Sequence, residues 1–416
     1  MNDPRTVIVG GGVVGLACAY TLSQAGHEVI VVDRDFNGDK ASFGNAGGIA
    51  VTECMPLSHP GVLRKVPKWL LDPLGPLAIQ PRYALTLIPW LWRFYRAGRT
   101  PVFYRHADAL AALNKRTYHD LRPLLTDIGL IGDLVPTGAL VLYSNRRSFE
   151  ADRLEWQVKA DRAVNFELLT RDEITDLEPA IGPTKEFGVL EPEWSLIKDP
   201  KKLVQRLAEW LAAQGVRLIE GDVTEVLTVD KRMAGLELAN STTIPASNVV
   251  IAVGAWSGAF AEQVGDRIYL ESERGYNTTL PDPGINIRRE LIFAEEKFVV
   301  SPLAPGLRIG GAAEFAGLNE PPNFGRAKAL LTLARRHLPG LTAGSGAEWM
   351  GHRPATPDSL PIIGPSPNAQ GLYYACGHGH LGLTQAATTG RLIADMILGN
   401  SPVLESKPYS AERFSP

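Results

Sequence analysis

The sequence predicts an α/β protein of two or three domains that opens on a Rossmann-like βαβ unit. Three observations carry this prediction. A G-x-G-x-x-G run separates a short apolar stretch from a helical pattern, an aspartate closes the second apolar stretch, and the chain's length and composition suit a multidomain globule.

Residues 6–9 form the first apolar run, and Gly10, Gly12 and Gly15 follow it. Small and apolar residues at helical spacing then continue to Leu22. Gly26 ends that helix, residues 27–32 form a second apolar strand, and Asp33 stands 18 residues after Gly15. Gly10 permits the tight turn, Gly12 lets backbone approach a pyrophosphate, and Gly15 lets helix pack on strand. The first-turn N–H groups at Val13 and Val14 and the helix dipole then face an anion. Asp33 can accept hydrogen bonds from ribose hydroxyls, with Arg34 beside it. Asp33, Asp35, Asn37 and Gly38 also mimic half of a calcium loop, but its twelfth position is Gly44, where a bidentate glutamate is required.

Composition narrows the function. The chain has 416 residues, 45% hydrophobic and 21% charged, and its 41 Gly and 31 Pro are scattered among turns, which excludes fibre and disorder. Forty-two basic against 45 acidic residues leave a net charge of -3, so no basic footprint for nucleic acid exists. Cys18, Cys54 and Cys376 are few, odd in number and far apart, which fits a reducing cytoplasm rather than a disulfide framework. The opening residues carry no basic export signal, and the run 84–92 is far shorter than the ~18 residues of a spanning helix.

Residues 41–49, A-S-F-G-N-A-G-G-I, resemble the loop that follows the second strand in the D-amino-acid oxidase superfamily of flavoproteins. There it runs beside the flavin, and the resemblance implies cofactor contacts at Ser42, Asn45, Ala46, Gly47 and Gly48. Residues 215–226 are similar to the segment whose Val223 offers backbone to adenine. The run V-V-I-A-V-G-A-W-S, residues 249–257, is similar to the strand end that closes over the dinucleotide at Gly254 and Trp256, with Val253 where relatives often carry Thr. Residues 351–364, G-H-R-P-A-T-P-D-S-L-P-I-I-G, and residues 377–384, G-H-G-H-L-G-L-T, resemble the C-terminal signature where substrate and isoalloxazine meet. That match implies cofactor contacts at Gly377, His378, Gly379, Gly382, Leu383 and Thr384.

The resemblance implies a glutathione-reductase type FAD-binding domain with a discontinuous α+β substrate domain built on an antiparallel sheet. The FAD-binding segments are expected at 1–60, 196–262 and 345–416, and the substrate segments at 61–195 and 263–344. Asp199 as N-cap with Pro200 after it starts a helix through Ala213. FAD is expected to be non-covalent, since no cysteine lies near Arg353.

Amine oxidation at a flavin needs little acid–base machinery and a firm seat for the carboxylate. Arg353 matches the superfamily's carboxylate-binding arginine, and a planar guanidinium suits that task; a structural pair with Asp358 is the alternative. His380 is expected to line the pocket and adjust substrate size or amine binding, and Tyr276 in E-S-E-R-G-Y to face it. Helical residues from Gln385 onward would point their N-terminus at the flavin and stabilise charge arriving there. Cys376, His378 and His380 alternate as strand-borne metal ligands would, but no fourth ligand accompanies them, so no metal is expected.

Between residues 61 and 107 stand eight Lys or Arg against Asp72 alone, a local charge of +7, together with eight of the chain's 32 aromatic residues. An in-plane membrane element, a partner's docking surface and packing on the chain itself are all compatible with this pattern. Pro67, Pro73, Pro76, Pro81 and Pro89 break it into short pieces.

The leading expectation is an FAD-dependent dehydrogenase of D-amino acids, with D-proline or hydroxy-D-proline as the first candidates. Hydride would pass from Cα to flavin N5, leave an imine, and continue to a quinone or other acceptor. An oxygen-using oxidase of glycine or sarcosine is the alternative, and a non-catalytic flavin relay or docking subunit is the alternative of another class. The expected location is cytoplasmic, with peripheral attachment to the inner membrane as its variant.

Overall fold

In the computed structural model, residues 5–414 are described, except 73, 343 and 345 and the side chains of 63–65. The opening residues 2–4, Pro73, Arg64 and Lys65, which entered the expectations above, lie outside what is described.

A six-stranded sheet runs in the order Arg217–Glu220, Val29–Asp33, Thr6–Val9, Asn248–Ile251, Leu372–Cys376, Ile362–Pro365. All neighbours are parallel except the last pair. Near-continuous apolar strands are what a parallel sheet covered on both faces requires. Alternate residues serve opposite layers: Ile8 and Val31 join the helices Val13–Gln24, Pro200–Ala213 and Gly382–Ile397. Val7, Val9, Ile30 and Val32 instead meet a three-stranded antiparallel sheet, Val223–Val229, Arg232–Leu238 and Thr243–Pro245. The helix Pro200–Ala213 begins as the sequence predicts, with Asp199 accepting from Lys202 N at 3.1 Å and Pro200 in its first turn.

The second sheet follows the order Ala347–Ala355, Glu271–Leu280, Gly306–Phe315, Phe298–Leu303, Glu290–Phe293, Ala139–Tyr143, Phe187–Glu191, Glu167–Leu169, with Leu77–Ile79 beside Gly306–Phe315. Its pairings are antiparallel apart from Glu290–Phe293 with Ala139–Tyr143 and Leu77–Ile79 with Gly306–Phe315. The helix Gly325–His337 buries one face of this sheet through Leu330, Leu333 and Ala334. The other face looks across a cavity toward the six-stranded sheet.

Two segments sit elsewhere than their expected boundaries would put them. Ala347–Ala355, expected with the FAD-binding segment that begins at 345, pairs along its length with Glu271–Leu280 in the second sheet. Helices Thr100–Lys115 and Thr117–Asp127, expected in the substrate segment, share a core with Leu16 and Leu392 against Gly382–Ile397. Apolar periodicity marks a buried face without saying which layer covers it.

Candidate active site

The cavity between the two sheets measures about 1450 Å³. Ordinary small-ligand sites span roughly 300–1,000 Å³, so this one has room for a dinucleotide and a substrate together.

Its floor is the glycine turn. A Cβ at Gly10, where φ is +116°, would lie 2.5 Å from the Ala252 carbonyl oxygen, and one at Gly15 would lie 2.0 Å from that of Gly10. Both positions must stay bare for turn and helix to seat on the sheet. At Gly12 the nearest atom to an added Cβ is Ser42 Oγ at 3.6 Å, so the backbone there is open to the cavity. Val13 N donates to Ser42 Oγ at 3.2 Å, and Val13 and Val14 line the cavity wall at the positive end of Val13–Gln24. This bare-backbone cradle at a helix N-terminus fits a pyrophosphate.

Asp33 departs in part from its expected role. Its carboxylate already accepts from Gly11 N, from Asp35 N at 3.0 Å and from Lys40 Nζ at 2.9 Å, so it organises the turn as well as facing the cavity. Arg34 lies over the Trp256 ring at 4.6 Å, and Val223 and Gly254 complete that end.

Asn45, Ala46 and Gly48 line the cavity, whereas Gly47 supports them. With φ at +86° it donates to Asn45 Oδ1 at 2.8 Å, and a Cβ there would meet the Ile197 carbonyl at 2.7 Å. Gly379, Gly382 and Leu383 reach the cavity from the C-terminal motif. Gly377 does not; a Cβ there would lie 2.8 Å from Thr356. Thr384 turns its hydroxyl to Ala50 N at 3.0 Å, tying the helix start to the loop.

The alternating Cys376, His378 and His380 end in three different environments. Cys376 is in the apolar core, its thiol pushed up to about 12 by burial. His378 borders the cavity but turns Nε2 to Thr389 Oγ1 at 2.9 Å, and burial holds its pKa down at about 3. His380 is exposed to the cavity, and its pKa is lowered from 6.5 by loss of bulk solvent, with Glu273 pulling it up and Arg353 pushing it down. The imidazole is neutral at pH 7.

Arg353 forms an ion pair, but with Glu273 at 2.7 Å and not with Asp358. Asp358 belongs to Arg413 at 2.8 Å. Arg353 Nη1 also donates to the Ala312 carbonyl and Nη2 to that of Gly311, which leaves Nε and one Nη2 hydrogen without an acceptor among the described residues, as a free edge. The guanidinium lies against Gly275, where a Cβ would be 2.3 Å from Nη2 and 2.4 Å from Cζ.

Tyr276 borders the cavity, but its hydroxyl is engaged elsewhere. Along Glu271–Leu280 side chains alternate, so Glu273 and Gly275 meet Arg353 on one face while Arg274 and Tyr276 turn to the other. The Tyr276 hydroxyl donates to Glu314 at 2.5 Å and accepts from Asn323 N, and its ring packs edge-on against Phe324. It is 1% exposed, and no phenol is offered to a ligand.

Sequence reading missed Glu273 and Gly275, although their two-residue spacing on a strand was a usable signal. It also missed Glu290 and Arg308 on the cavity face of the second sheet, which no motif marks. The basic aromatic segment divides by face. Trp90 is buried, donates to the Ala355 carbonyl at 3.1 Å, stacks on Phe94, and with Leu91 closes the cavity. Leu71, Leu85, Ile88, Trp92 and Tyr95 point outward, Leu71 at 84% and Leu85 at 79% exposure. No helix among the described residues is long and apolar enough to cross a membrane.

Comparison with known proteins agrees with this architecture. A family described as FAD dependent oxidoreductase matches residues 5–396. A D-amino-acid oxidase from Bradyrhizobium diazoefficiens is 34% identical over 100% of both chains. A D-amino acid dehydrogenase from Rhizobium johnstonii is 28% identical over 99% of this chain and 100% of its own. Among solved structures, L-proline dehydrogenase from P. horikoshii superposes with a TM-score of 0.77 at 19% identity, covering 99% of this chain and 98% of that one. Glycine oxidase from Geobacillus kaustophilus gives 0.74 at 23% identity, over 99% and 100%. At these identities the two structures speak for the fold.

Proposed function

Because the chain belongs to the family of FAD-dependent oxidoreductases, we propose that it oxidises a D-amino acid at Cα, with cyclic secondary amines such as D-proline or hydroxy-D-proline as the first substrates to try. The observation that carries this reading is the convergence of Arg353, Glu273 and His380 on one cavity with the glycine cradle. FAD, when bound, supplies the acceptor for the hydride leaving Cα.

The chain's own residues bind and orient. In this reading the free Nε/Nη2 edge of Arg353 takes the substrate carboxylate, and Glu273 with the Gly311 and Ala312 carbonyls keeps that edge fixed. His380, neutral at pH 7, can accept from the substrate amine without competing for the carboxylate. Gly382 and Leu383 open the helix Gly382–Ile397, whose N-terminal N–H groups favour negative charge in the cavity. Gly10, Gly12, Val13, Val14, Ser42, Asn45, Ala46 and Gly48 would hold the dinucleotide together with Asp33, Arg34, Val223, Gly254 and Trp256.

For the electron acceptor, the helix Ile88–Ala97 supports a quinone drawn from a membrane surface. Its Trp90, Leu91 and Phe94 line the cavity, and its Ile88, Trp92 and Tyr95 face outward beside Arg96. The name of the Bradyrhizobium relative favours oxygen instead, as a second reading.

Anaerobic bleaching of the visible flavin band with D- and L-amino acids, proline derivatives, glycine and sarcosine tests the proposal. Bleaching by a D-isomer that recovers slowly in air, and fast with a quinone, is the expected result. Fast recovery in air alone makes the chain an oxidase. Retained FAD that no amine bleaches overturns the proposal and leaves a flavin relay or docking subunit.

A further inference from the structure

Glu290 opens the strand Glu290–Phe293 on the cavity face of the second sheet and is 5% exposed. Its Oε2 has no hydrogen-bond partner among the described residues. Buried carboxyl oxygens are almost always partnered, so an orphan facing a cavity points to a group that occupies the cavity.

The surroundings indicate where that group lies. Leu291 pairs with Val300, which sets Glu290 opposite Ser301, and Ser301 pairs with Arg308, which pairs with Thr279. These side chains form one polar rung beneath the loop of residues 43–48. Arg308 Nη1 donates to the Phe43 carbonyl at 3.1 Å and also to that of Asn45, and its Nε donates to Thr279 Oγ1 at 3.1 Å. Glu290 reaches the next part of the loop, since a Cβ on Gly48 would lie 2.3 Å from Oε2 and 3.1 Å from the Trp194 ring. The bare Cα of Gly48 is therefore what leaves space at the carboxyl.

Among the described residues no charge is at hand to hold Glu290 ionised. Burial alone raises it, from 4.5 to about 8. Gly48, Trp194, Ser301 and Ala139 face it from the loop and neighbouring strands without charge. Arg308 is spent on the loop carbonyls, the preceding Arg289 on Glu178 at 3.0 Å, and the buried Glu191 on Lys159 at 2.8 Å. Glu53 and Lys297 line the same cavity, Lys297 at 3.9 Å from Asp152.

We propose that Glu290 is a neutral carboxylic acid whose O–H donates a hydrogen bond to the flavin ring received by the loop of residues 44–48, and that its ionisation removes this donor and sets a negative charge beside the ring. The inference rests on the reading of that loop as the flavin's bed. It gives Glu290 a role in tuning the cofactor that neither substrate anchoring nor pyrophosphate binding supplies.

The test uses substrate-free holoenzyme and reconstituted apoprotein of wild type, Glu290→Gln and Glu290→Leu, with flavin absorbance from pH 6 to 10 and FAD affinity at pH 7 as readouts. In wild type FAD affinity is expected to fall above about pH 8, and the flavin band of the holoenzyme to show a one-proton change at a higher pH, since a ring that accepts from the acid holds its proton more tightly. Glu290→Gln, which donates but cannot ionise, should lose that change and keep the affinity. Glu290→Leu should lose the change and about tenfold of the affinity at pH 7, the worth of one buried hydrogen bond. A spectral change that persists in Glu290→Gln, or FAD affinities and spectra equal in all three proteins, overturns the inference while the proposed function stands. A folded protein that takes up no FAD overturns both.

Discussion

The Arg353 guanidinium is clamped before any substrate arrives: Glu273 holds Nη1 at 2.7 Å, and the Cα of Gly275 gives the group a flat surface to lie on. A preset guanidinium loses little entropy on binding a carboxylate, so its contribution goes to orientation. Arg353→Lys keeps the charge and loses the planar edge. Steady-state kinetics should show KM raised about 10- to 100-fold, the worth of one charge-assisted hydrogen bond, with FAD content unchanged. An unaltered KM would remove Arg353 from the substrate site.

Gly275→Ala probes the same contact from the other side. Its Cβ would sit 2.3 Å from Nη2, and three hydrogen bonds resist the guanidinium's retreat. The expected outcome is a rise in KM of about tenfold, since a misplaced anchor loses much of its binding, with thermal stability close to wild type. Equal kinetics in the two proteins would mean that the guanidinium moves freely.

The stability of the protein should peak near pH 6.5. His378 and His352 are held at about 3 and about 4, chiefly by burial, so below 6.5 the unfolded chain binds protons that the folded one does not, and stability falls with acid. Glu290 works in the opposite sense. Its folded value near 8 lies above its unfolded one, so stability declines as pH rises from 4.5 to 8, by roughly 5 kcal/mol if nothing else pairs with it. Denaturant titrations of Glu290→Gln should lack the alkaline decline, and His378→Asn should flatten the acid limb. A wild-type profile flat between pH 5 and 8 would contradict both assignments.

The outward face of Ile88–Ala97 gives a contrast within a single helix. Ile88→Ser with Trp92→Ser removes exposed side chains and should leave melting unchanged while abolishing co-sedimentation with anionic vesicles. Trp90→Ala empties a buried site that bonds the Ala355 carbonyl, and should cost about 3–5 kcal/mol of stability. Wild-type protein that stays in the supernatant at low salt would exclude the membrane surface and leave the patch to a protein partner.

The cofactor end of the molecule is legible in the sequence because its requirements are local. Gly10, Gly12 and Gly15 answer backbone geometry within one turn, and Asp199 with Pro200 answers the first turn of one helix, so residue type at fixed spacing is enough. The substrate end is legible only in part. A motif identifies Arg353 but suggests a partner five residues away at Asp358, and the same kind of motif brings Tyr276 to the cavity without showing that its hydroxyl is held by Glu314.

The sequence by itself determined the glycine turn, the strand–helix–strand unit around it and the class of cofactor, and it singled out Arg353. Tertiary structure decided which carboxylate holds that arginine, which face of Glu271–Leu280 meets the cavity, which layer Ala347–Ala355 and the helices of residues 100–127 join, and that Glu290 stands unpaired beneath Gly48. The physical reason is one of range. Turn and helix preferences act between residues a few positions apart, whereas ion pairs, burial and strand register act across a fold that brings Glu273 and Arg353 together from 80 positions apart.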